Sequence, residues 1–120
     1  MLPRPHRLTK KKEIERVFQR GRSFFTAILG VKAAPAGRAM TRFAVVVSIK
    51  VARKATARNR IKRQLRAILR ENRTRVSPGY DVVLVARSGI EKSSREELVR
   101  AVELAFRKLG LTKATFAEVS

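Results

Sequence analysis

The sequence predicts a single α+β domain, an α/β sandwich whose elements follow the order α-β-β-α-β-α. The chain has 120 residues, which is the size of one domain. Its apolar residues fall into three segments with helical spacing, and the segments between them are rich in β-branched and aromatic side chains. Because 44% of the residues are hydrophobic, the chain can form a core and is not a disordered basic tail.

The first helix is predicted over residues 10–20. Its apolar side chains have the i, i+3, i+4 spacing of one helical face, at Ile14, Val17 and Phe18. Thr9 is expected to cap the N-terminus of this helix, and Gly21 is expected to end it in the left-handed conformation. The other positions are mostly charged, so the outer face should be strongly basic.

Two strands are expected next, over residues 23–33 and 41–49. Both segments are rich in β-branched and aromatic side chains. Residues 35–37, Pro-Ala-Gly, mark a turn between them. We therefore expect the two strands to pair as an antiparallel hairpin.

The second helix and the last strand follow. The helix is predicted over about residues 57–72, and the Pro78-Gly79 pair breaks the chain after it. Residues 80–87, Tyr-Asp-Val-Val-Leu-Val-Ala-Arg, form a nearly continuous apolar run. Such a run is typical of a strand that is buried on both faces.

The third helix is predicted to begin at Ser93 or Ser94, because each serine is followed three residues later by a glutamate that completes a capping box. Its apolar residues continue to Gly110, which should end the helix. The ordered core is therefore expected to span about residues 7–110, with residues 111–120 as a loose C-terminal tail.

Composition restricts the classes of function. The 29 Lys and Arg residues against 9 Asp and Glu give a formal charge of +20, so nucleic acid is the expected partner and an anionic membrane is the rival. The absence of cysteine removes disulfide and thiolate chemistry and fits a reducing compartment. Because the chain has no apolar run of membrane-spanning length and no signal peptide at its start, we expect a cytoplasmic protein.

The positive charge is concentrated in the second helix and its flanks, where residues 50–75 hold eleven Lys and Arg and one acid. A helical projection puts four apolar residues on one stripe that should face the sheet: Ile61, Leu65, Ile68 and Leu69. The opposite face carries Asn59, Arg63, Arg66 and Arg70, with Arg58, Arg60 and Lys62 on its shoulders. Like charges at i, i+4 are unfavourable in a helix, so the face is interpreted as a binding surface; a solubilising face is the alternative, and Asn59 could instead cap the helix.

Residues 58–66, Arg-Asn-Arg-Ile-Lys-Arg-Gln-Leu-Arg, together with residues 48–57 before them, resemble the signature of the bacterial ribonuclease P protein component. Residues 7–21 resemble the first helix of that family, and residues 80–87 resemble its last strand. The resemblance covers about residues 7–109. It implies an α/β sandwich like domain 2 of ribosomal protein S5, with a left-handed crossover that carries the arginine-rich helix, against the usual right-handed rule.

The resemblance also implies a function. In this family the protein is the partner of a catalytic RNA, and the two together remove the 5′ leader from precursor tRNA with Mg²⁺ that is held mainly by the RNA. No membrane contact and no stable protein partner are expected. The residues that match the RNA-contacting motif are Arg58, Asn59, Arg60, Lys62, Arg63 and Arg66, and those in the connection before it are Lys50, Arg53 and Lys54.

A cleft between the first helix and the sheet is implied to bind the single-stranded leader. The candidate residues are Arg7, Lys10, Ile14 and Phe18. An exposed Phe18 ring could stack on an unpaired base, and the alternative is that Phe18 belongs to the core. The chain departs from the family pattern at Ile14, where a phenylalanine is usual, and at Ile49, where a lysine is common.

The protein's own residues offer no catalytic constellation. Phosphodiester hydrolysis at a protein site needs metal-binding carboxylates or paired histidines, whereas Asp81 lies in an apolar strand and His6 is the single histidine. We therefore expect no catalytic and no metal-binding residues in the protein, and expect the partner RNA to carry the chemistry. A DNA-binding regulator would need a helix-turn-helix frame that is not seen here, and a ribosomal protein would lack the 58–66 motif.

Overall fold

A computed structural model describes residues 2–116 of the chain. Its helices and strands, in chain order, are α1 (Lys11–Arg20), β1 (Arg22–Phe25), β2 (Leu29–Pro35), β3 (Arg42–Val46), α2 (Ala55–Asn72), β4 (Tyr80–Ala86) and α3 (Arg95–Lys108). Short 3₁₀ turns lie at Arg4–His6, Arg73–Arg75 and Ile90–Lys92. The predicted α+β class is therefore confirmed, with one more strand than the sequence indicated.

The four strands form one sheet in the order β1-β2-β4-β3. Strand β4 is central, because it pairs antiparallel with β2 and parallel with β3. Four of its seven residues, Val82, Val83, Leu84 and Ala86, are buried apolar side chains, as its continuous apolar sequence predicted. Helix α2 connects β3 to β4, two adjacent parallel strands; the left-handedness of this crossover remains a prediction.

The predicted hairpin between residues 23–33 and 41–49 is wrong. The first segment contains two strands, β1 and β2, joined by a turn in which the Thr26 hydroxyl accepts a hydrogen bond from the Leu29 amide at 3.1 Å. A threonine side chain thus closes a turn that carries no glycine or proline to reveal it. The place beside β2 is taken by β4. Pro35 is the last residue of β2, and the residues after it leave the sheet instead of turning back along it.

Both predicted ends of α1 also need correction. Lys10 is the N-cap residue and no side chain caps the helix, so Thr9 does not have that role. Gly21 has a φ of −76°, which is not left-handed. Glycine is required there for space instead, because a Cβ would overlap the Val17 carbonyl oxygen and lie 3.0 Å from that of Ala33. The close approach of the helix end to β2 is the feature that excludes a side chain.

Helices cover both faces of the sheet. Helix α1 lies across β2 and β4 on one face, where Val17 is buried together with Leu8, Ala34 and Val83. Helices α2 and α3 lie against the other face and enclose the main core. The apolar stripe predicted for α2 is confirmed, since Ile61, Leu65, Ile68 and Leu69 are all buried. Ser94 and Glu97 form the capping box of α3, which settles the choice between the two serines.

The structure corrects the expectation of a loose tail for residues 111–116. Leu111 and Phe116 are buried, and the Phe116 ring meets the edge of the Phe106 ring with the centroids 5.7 Å apart. The Leu111 carbonyl accepts a hydrogen bond from Ser77 at 2.7 Å. The sequence did not predict this packing, because the apolar residues of the segment are too few and too irregularly spaced to show a periodic pattern. Residues 117–120 of the predicted tail lie outside the described residues.

We predict that Phe116→Ala lowers the free energy of unfolding by about 3 kcal/mol or more, because it removes a buried ring from the core. Thr115→Ala is the matched control, since Thr115 is exposed and its substitution should change stability by less than about 0.5 kcal/mol. Urea unfolding followed by circular dichroism gives both values. Equal stabilities for the two variants would contradict the packing of this segment.

Candidate nucleic-acid interface

The outward face of α2 is strongly cationic. Burial of the apolar stripe turns Arg60, Arg63 and Arg66 to solvent, together with Asn59. The N-cap of α2 is Lys54, so Asn59 lies inside the helix and does not cap it. Its amide is therefore available to a ligand as a neutral donor and acceptor, between guanidinium groups that can meet phosphate oxygens in pairs.

Arg58 has a more specific place than the sequence suggested. Its guanidinium is half-buried and donates hydrogen bonds to the carbonyl oxygens of Ala52, at 3.0 Å, and Arg53, at 2.7 Å. Arg58 thus fastens the connection between β3 and α2 to the helix. Two cations of this connection, Arg53 and Lys54, are exposed directly before the first turn of α2, and Lys50 is exposed a few residues earlier. The connection and the helix therefore present one continuous basic surface.

Little negative charge opposes this surface. In the described ion pairs, α2 contributes one acid, Glu71, which lies 3.7 Å from Arg70 at the C-terminal end of the helix. The remaining arginines and Lys62 repel one another at a cost of a few tenths of a kcal/mol for each i, i+4 pair. A polyanion would relieve this repulsion, so the face favours binding of phosphates.

A second surface lies on the opposite face of the sheet, beside α1. The strand register places Phe25, Gly30, Val85 and Val46 in one row across all four strands. Val46 and Val85 are partly buried and pack beside Ile14 of α1. With neighbouring strands about 4.8 Å apart, the row is about 14 Å long. It forms the floor of a shallow cleft, and α1 forms one wall.

At the β3 end the cleft opens into a hollow of about 240 Å³. Arg7 and Ile14, two residues predicted to bind a single strand, line it together with Arg66 of the basic helix. The structure therefore brings residues of both predicted sites to one place. Lys10 is exposed at the start of α1 and is not part of this lining.

At the β1 end the cleft carries exposed aromatic rings. Phe18 is 41% exposed, so it is not the core residue that the sequence left as an alternative. The ammonium nitrogen of Lys32 lies 5.5 Å from the centre of its ring and 5.9 Å from the centre of the Phe25 ring. On the other side of Phe25, the Arg87 guanidinium lies 5.5 Å from the ring centre.

Sequence reasoning missed Phe25, Lys32 and Arg87. One signal was available for the first of them. Adjacent residues of a strand point to opposite faces, so the Phe24-Phe25 pair must place one ring on each side of the sheet. Phe24 packs against the main core and Phe25 is 53% exposed. The other two residues are ordinary cations in the sequence, and only the fold brings them beside the ring.

An ion-pair network fixes α1 over the sheet. Arg42 of β3 donates to both carboxylate oxygens of Asp81 on β4, at 2.9 and 3.0 Å, and to Glu13 of α1 at 2.9 Å. Arg38 adds a 2.6 Å contact to Glu13. The hydrogen bonds from Arg42 are the main reason why the pKa of Glu13 lies below its ordinary value of 4.5, and those to Asp81 raise the pKa of Arg42.

The described residues do not assemble a metal site. Between residues 2 and 116, no three His, Cys, Asp or Glu side chains come together closely enough to hold a metal ion. The carboxylates of Glu13 and Asp81 are near each other, but both are occupied by guanidinium groups. Over the same residues, no helix is both long and apolar enough to cross a membrane.

Comparison with known proteins gives a consistent result. Residues 2–110 match the model of the family described as Ribonuclease P. The chain is 37% identical to the ribonuclease P protein component of Syntrophomonas wolfei over 111 residues, which cover 92% of each chain. The solved ribonuclease P protein of Thermotoga maritima is 28% identical, with a TM-score of 0.73 over 84% of this chain and 96% of that one. The Staphylococcus aureus protein, 19% identical, shares the fold with a TM-score of 0.82 over 90% of this chain and 98% of that one.

We predict that acid weakens the attachment of α1 through Glu13. Because the folded state lowers the pKa of this carboxyl below 4.5, its stabilising effect is complete above that pH and is lost as the pH falls through the lowered value. Glu13→Gln should therefore reduce the loss of Tm between about pH 5 and pH 3. Glu15→Gln, at an exposed position of the same helix, is the control and should follow the original protein. Parallel curves for all three proteins would contradict this role of Glu13.

Proposed function

The chain belongs to the ribonuclease P protein family, and from this premise we propose that it is the protein subunit of a ribonuclease P ribonucleoprotein that matures the 5′ ends of tRNA. In this proposal, the outward face of α2 binds the catalytic RNA and the cleft beside α1 binds the 5′ leader of precursor tRNA. The observation that carries the proposal is the cationic face of α2, on which Arg60, Arg63 and Arg66 are exposed. The absence of cysteine fits a cytoplasmic place of action.

The proposed contact with the catalytic RNA is made by residues of α2 and of the connection before it. These are Arg58, Asn59, Arg60, Lys62, Arg63 and Arg66, with Lys50, Arg53 and Lys54. Arginine is suited to this contact because its planar guanidinium can pair with two phosphate oxygens or stack on a base. Arg58 also has a structural role, because its hydrogen bonds to Ala52 and Arg53 hold the connection between β3 and α2 in place.

The proposed leader site is the cleft, with Arg7, Ile14 and Phe18 along it and Lys10 at its border. Its apolar floor and exposed rings suit unpaired bases, and the cations beside them suit the phosphates that link those bases. The hollow shared by Arg7 and Arg66 gives the leader a path from the surface that binds the catalytic RNA.

We assign the chemistry to the RNA. The described carboxylates fit poorly as Mg²⁺ ligands, because Glu13 and Asp81 are paired with arginines and no third acid joins them. We therefore propose that the RNA holds the Mg²⁺ and that the protein contributes by neutralising phosphates and gripping the leader. Such contributions raise the affinity for the substrate without contact to the scissile bond.

The direct test is cleavage of a precursor tRNA with a 5′ leader at low Mg²⁺ concentration. Three samples are compared: a bacterial ribonuclease P RNA alone, this protein alone, and the two mixed. We expect cleavage at the mature 5′ end in the mixture and none with the protein alone. Cleavage by the protein alone would contradict the assignment of the chemistry to the RNA. No gain from adding the protein would contradict its role as a subunit.

We predict that Arg63→Glu together with Arg66→Glu reduces binding of the ribonuclease P RNA by at least about 100-fold, because two phosphate contacts become repulsions. Both side chains are exposed, so the Tm should remain nearly unchanged. The control is Lys108→Glu together with Lys113→Glu, which makes the same change in net charge at two exposed positions outside α2. Filter binding at fixed salt measures affinity. Equal losses for both pairs would show that total charge, and not this face, determines binding.

A further inference from the structure

Phe25 is the most exposed large aromatic side chain among the described residues, at 53% of its surface. It lies on β1, an edge strand, and faces the same side of the sheet as the cleft. Its strand partner is Gly30, and a Cβ on Gly30 would come within 2.7 Å of the Phe25 ring. Only Cδ1 and Cε1 of the ring come this close, so the ring meets the glycine with one edge, and the rest of it projects from the sheet toward solvent.

Cations hold this ring from two sides. Lys32 lies between the Phe18 and Phe25 rings, so the two ring centres are no more than about 11 Å apart, the combined length of its two contacts. The Arg87 guanidinium lies against Phe25 and also donates a hydrogen bond to the Thr26 carbonyl at 2.7 Å, which fixes it to the hairpin turn. The result is an alternating row of ring, cation, ring and cation.

This row of rings and cations extends the cleft toward the β1 edge of the sheet. The hollow with Arg66 lies at the β3 edge of the sheet, and Phe25 lies at the β1 edge, with Phe18 and Lys32 between them. A single strand that enters beside the basic helix would reach Phe18 before Phe25. Alternating aromatic and cationic groups match a single strand, in which bases and phosphates alternate.

We propose that Phe25 is a second stacking site for a leader base, farther from the cleavage site than the base at Phe18, with Lys32 and Arg87 neutralising the phosphates on either side. This inference rests on the proposed leader-binding function of the cleft. It predicts that a longer leader is bound more tightly than one that reaches only Phe18, and that Phe25 is responsible for the difference.

Phe25 also has a structural effect that the test must separate. An aromatic ring over a glycine of the neighbouring strand shields the backbone of the pair and stabilises an edge. Phe25→Leu retains an apolar cover over Gly30 but has no π-face for stacking. Phe25→Trp retains both properties. Comparison of these two variants distinguishes base stacking from shielding of the Gly30 backbone. The Tm of each variant shows whether the β1–β2 hairpin is intact.

The experiment measures binding of precursor tRNAs with leaders of increasing length to the holoenzyme, assembled from the full chain and its ribonuclease P RNA. With the original protein, affinity should rise in two steps as the leader first reaches Phe18 and then Phe25. Phe25→Leu should remove the second step, a loss of about 5-fold or more, and leave short leaders unaffected. Phe25→Trp should retain it. Leu104→Ala, at an exposed position on α3, is the control and should retain both steps.

A fluorescent base gives a second readout. 2-Aminopurine placed at successive leader positions is quenched where it stacks, so the original protein should show a quenched position upstream of the one at Phe18. Phe25→Leu should relieve only the upstream quenching. If this variant binds long and short leaders like the original protein, or loses affinity equally for both, the second site is refuted while leader binding stands. If affinity does not depend on leader length even in the original protein, the leader-binding function itself fails.

Discussion

Burial of the apolar stripe of α2 against the sheet is the constraint on which the surface chemistry depends. The stripe is formed by Ile61, Leu65, Ile68 and Leu69, and full burial of each such side chain contributes about 1.5–3 kcal/mol. This gain exceeds the repulsion among the cations that it forces to the outside, which is a few tenths of a kcal/mol per pair. The helix can therefore carry a basic face that is unfavourable by itself. Folding and the proposed contact with RNA are served by opposite sides of the same 18 residues.

The sequence was most informative where one periodic pattern determines one face. The stripe of α2, the capping box of α3 and the apolar run of β4 are all local patterns, and the structure confirms each of them. Strand pairing was predicted less well, because the partner of β2 lies about fifty residues away and a turn closed by Thr26 has no strong local signal. The role of Gly21 was misread for a related reason, since its need for glycine comes from the nearby backbone of β2.

The candidate sites also contain residues that a local pattern predicts and residues that only the fold brings together. Arg63 and Arg66 are exposed, as the helical projection required. Arg7 and Ile14 line the hollow together with Arg66. The row from Phe18 to Arg87 could not be predicted, because its members come from α1, β2, β1 and the end of β4. The network of Arg42 with Glu13 and Asp81 likewise joins three elements. Local sequence patterns thus predict which residues lie on a surface, whereas the contacts between residues of different elements depend on the topology of the fold.

The central place of β4 has a consequence for the order of events during synthesis. Strand β2 can pair early with β1, but β2 and β3 do not pair with each other, so the sheet can close only when residues 80–86 have been made. Their contacts with β4 span about forty to fifty residues of chain, and such distant pairings slow the folding of a domain. Until β4 leaves the ribosome, the edges of β2 and β3 that β4 will cover and the apolar stripe of α2 are exposed to aggregation. The four-stranded sheet can therefore be completed only late, when more than two thirds of the chain has been made.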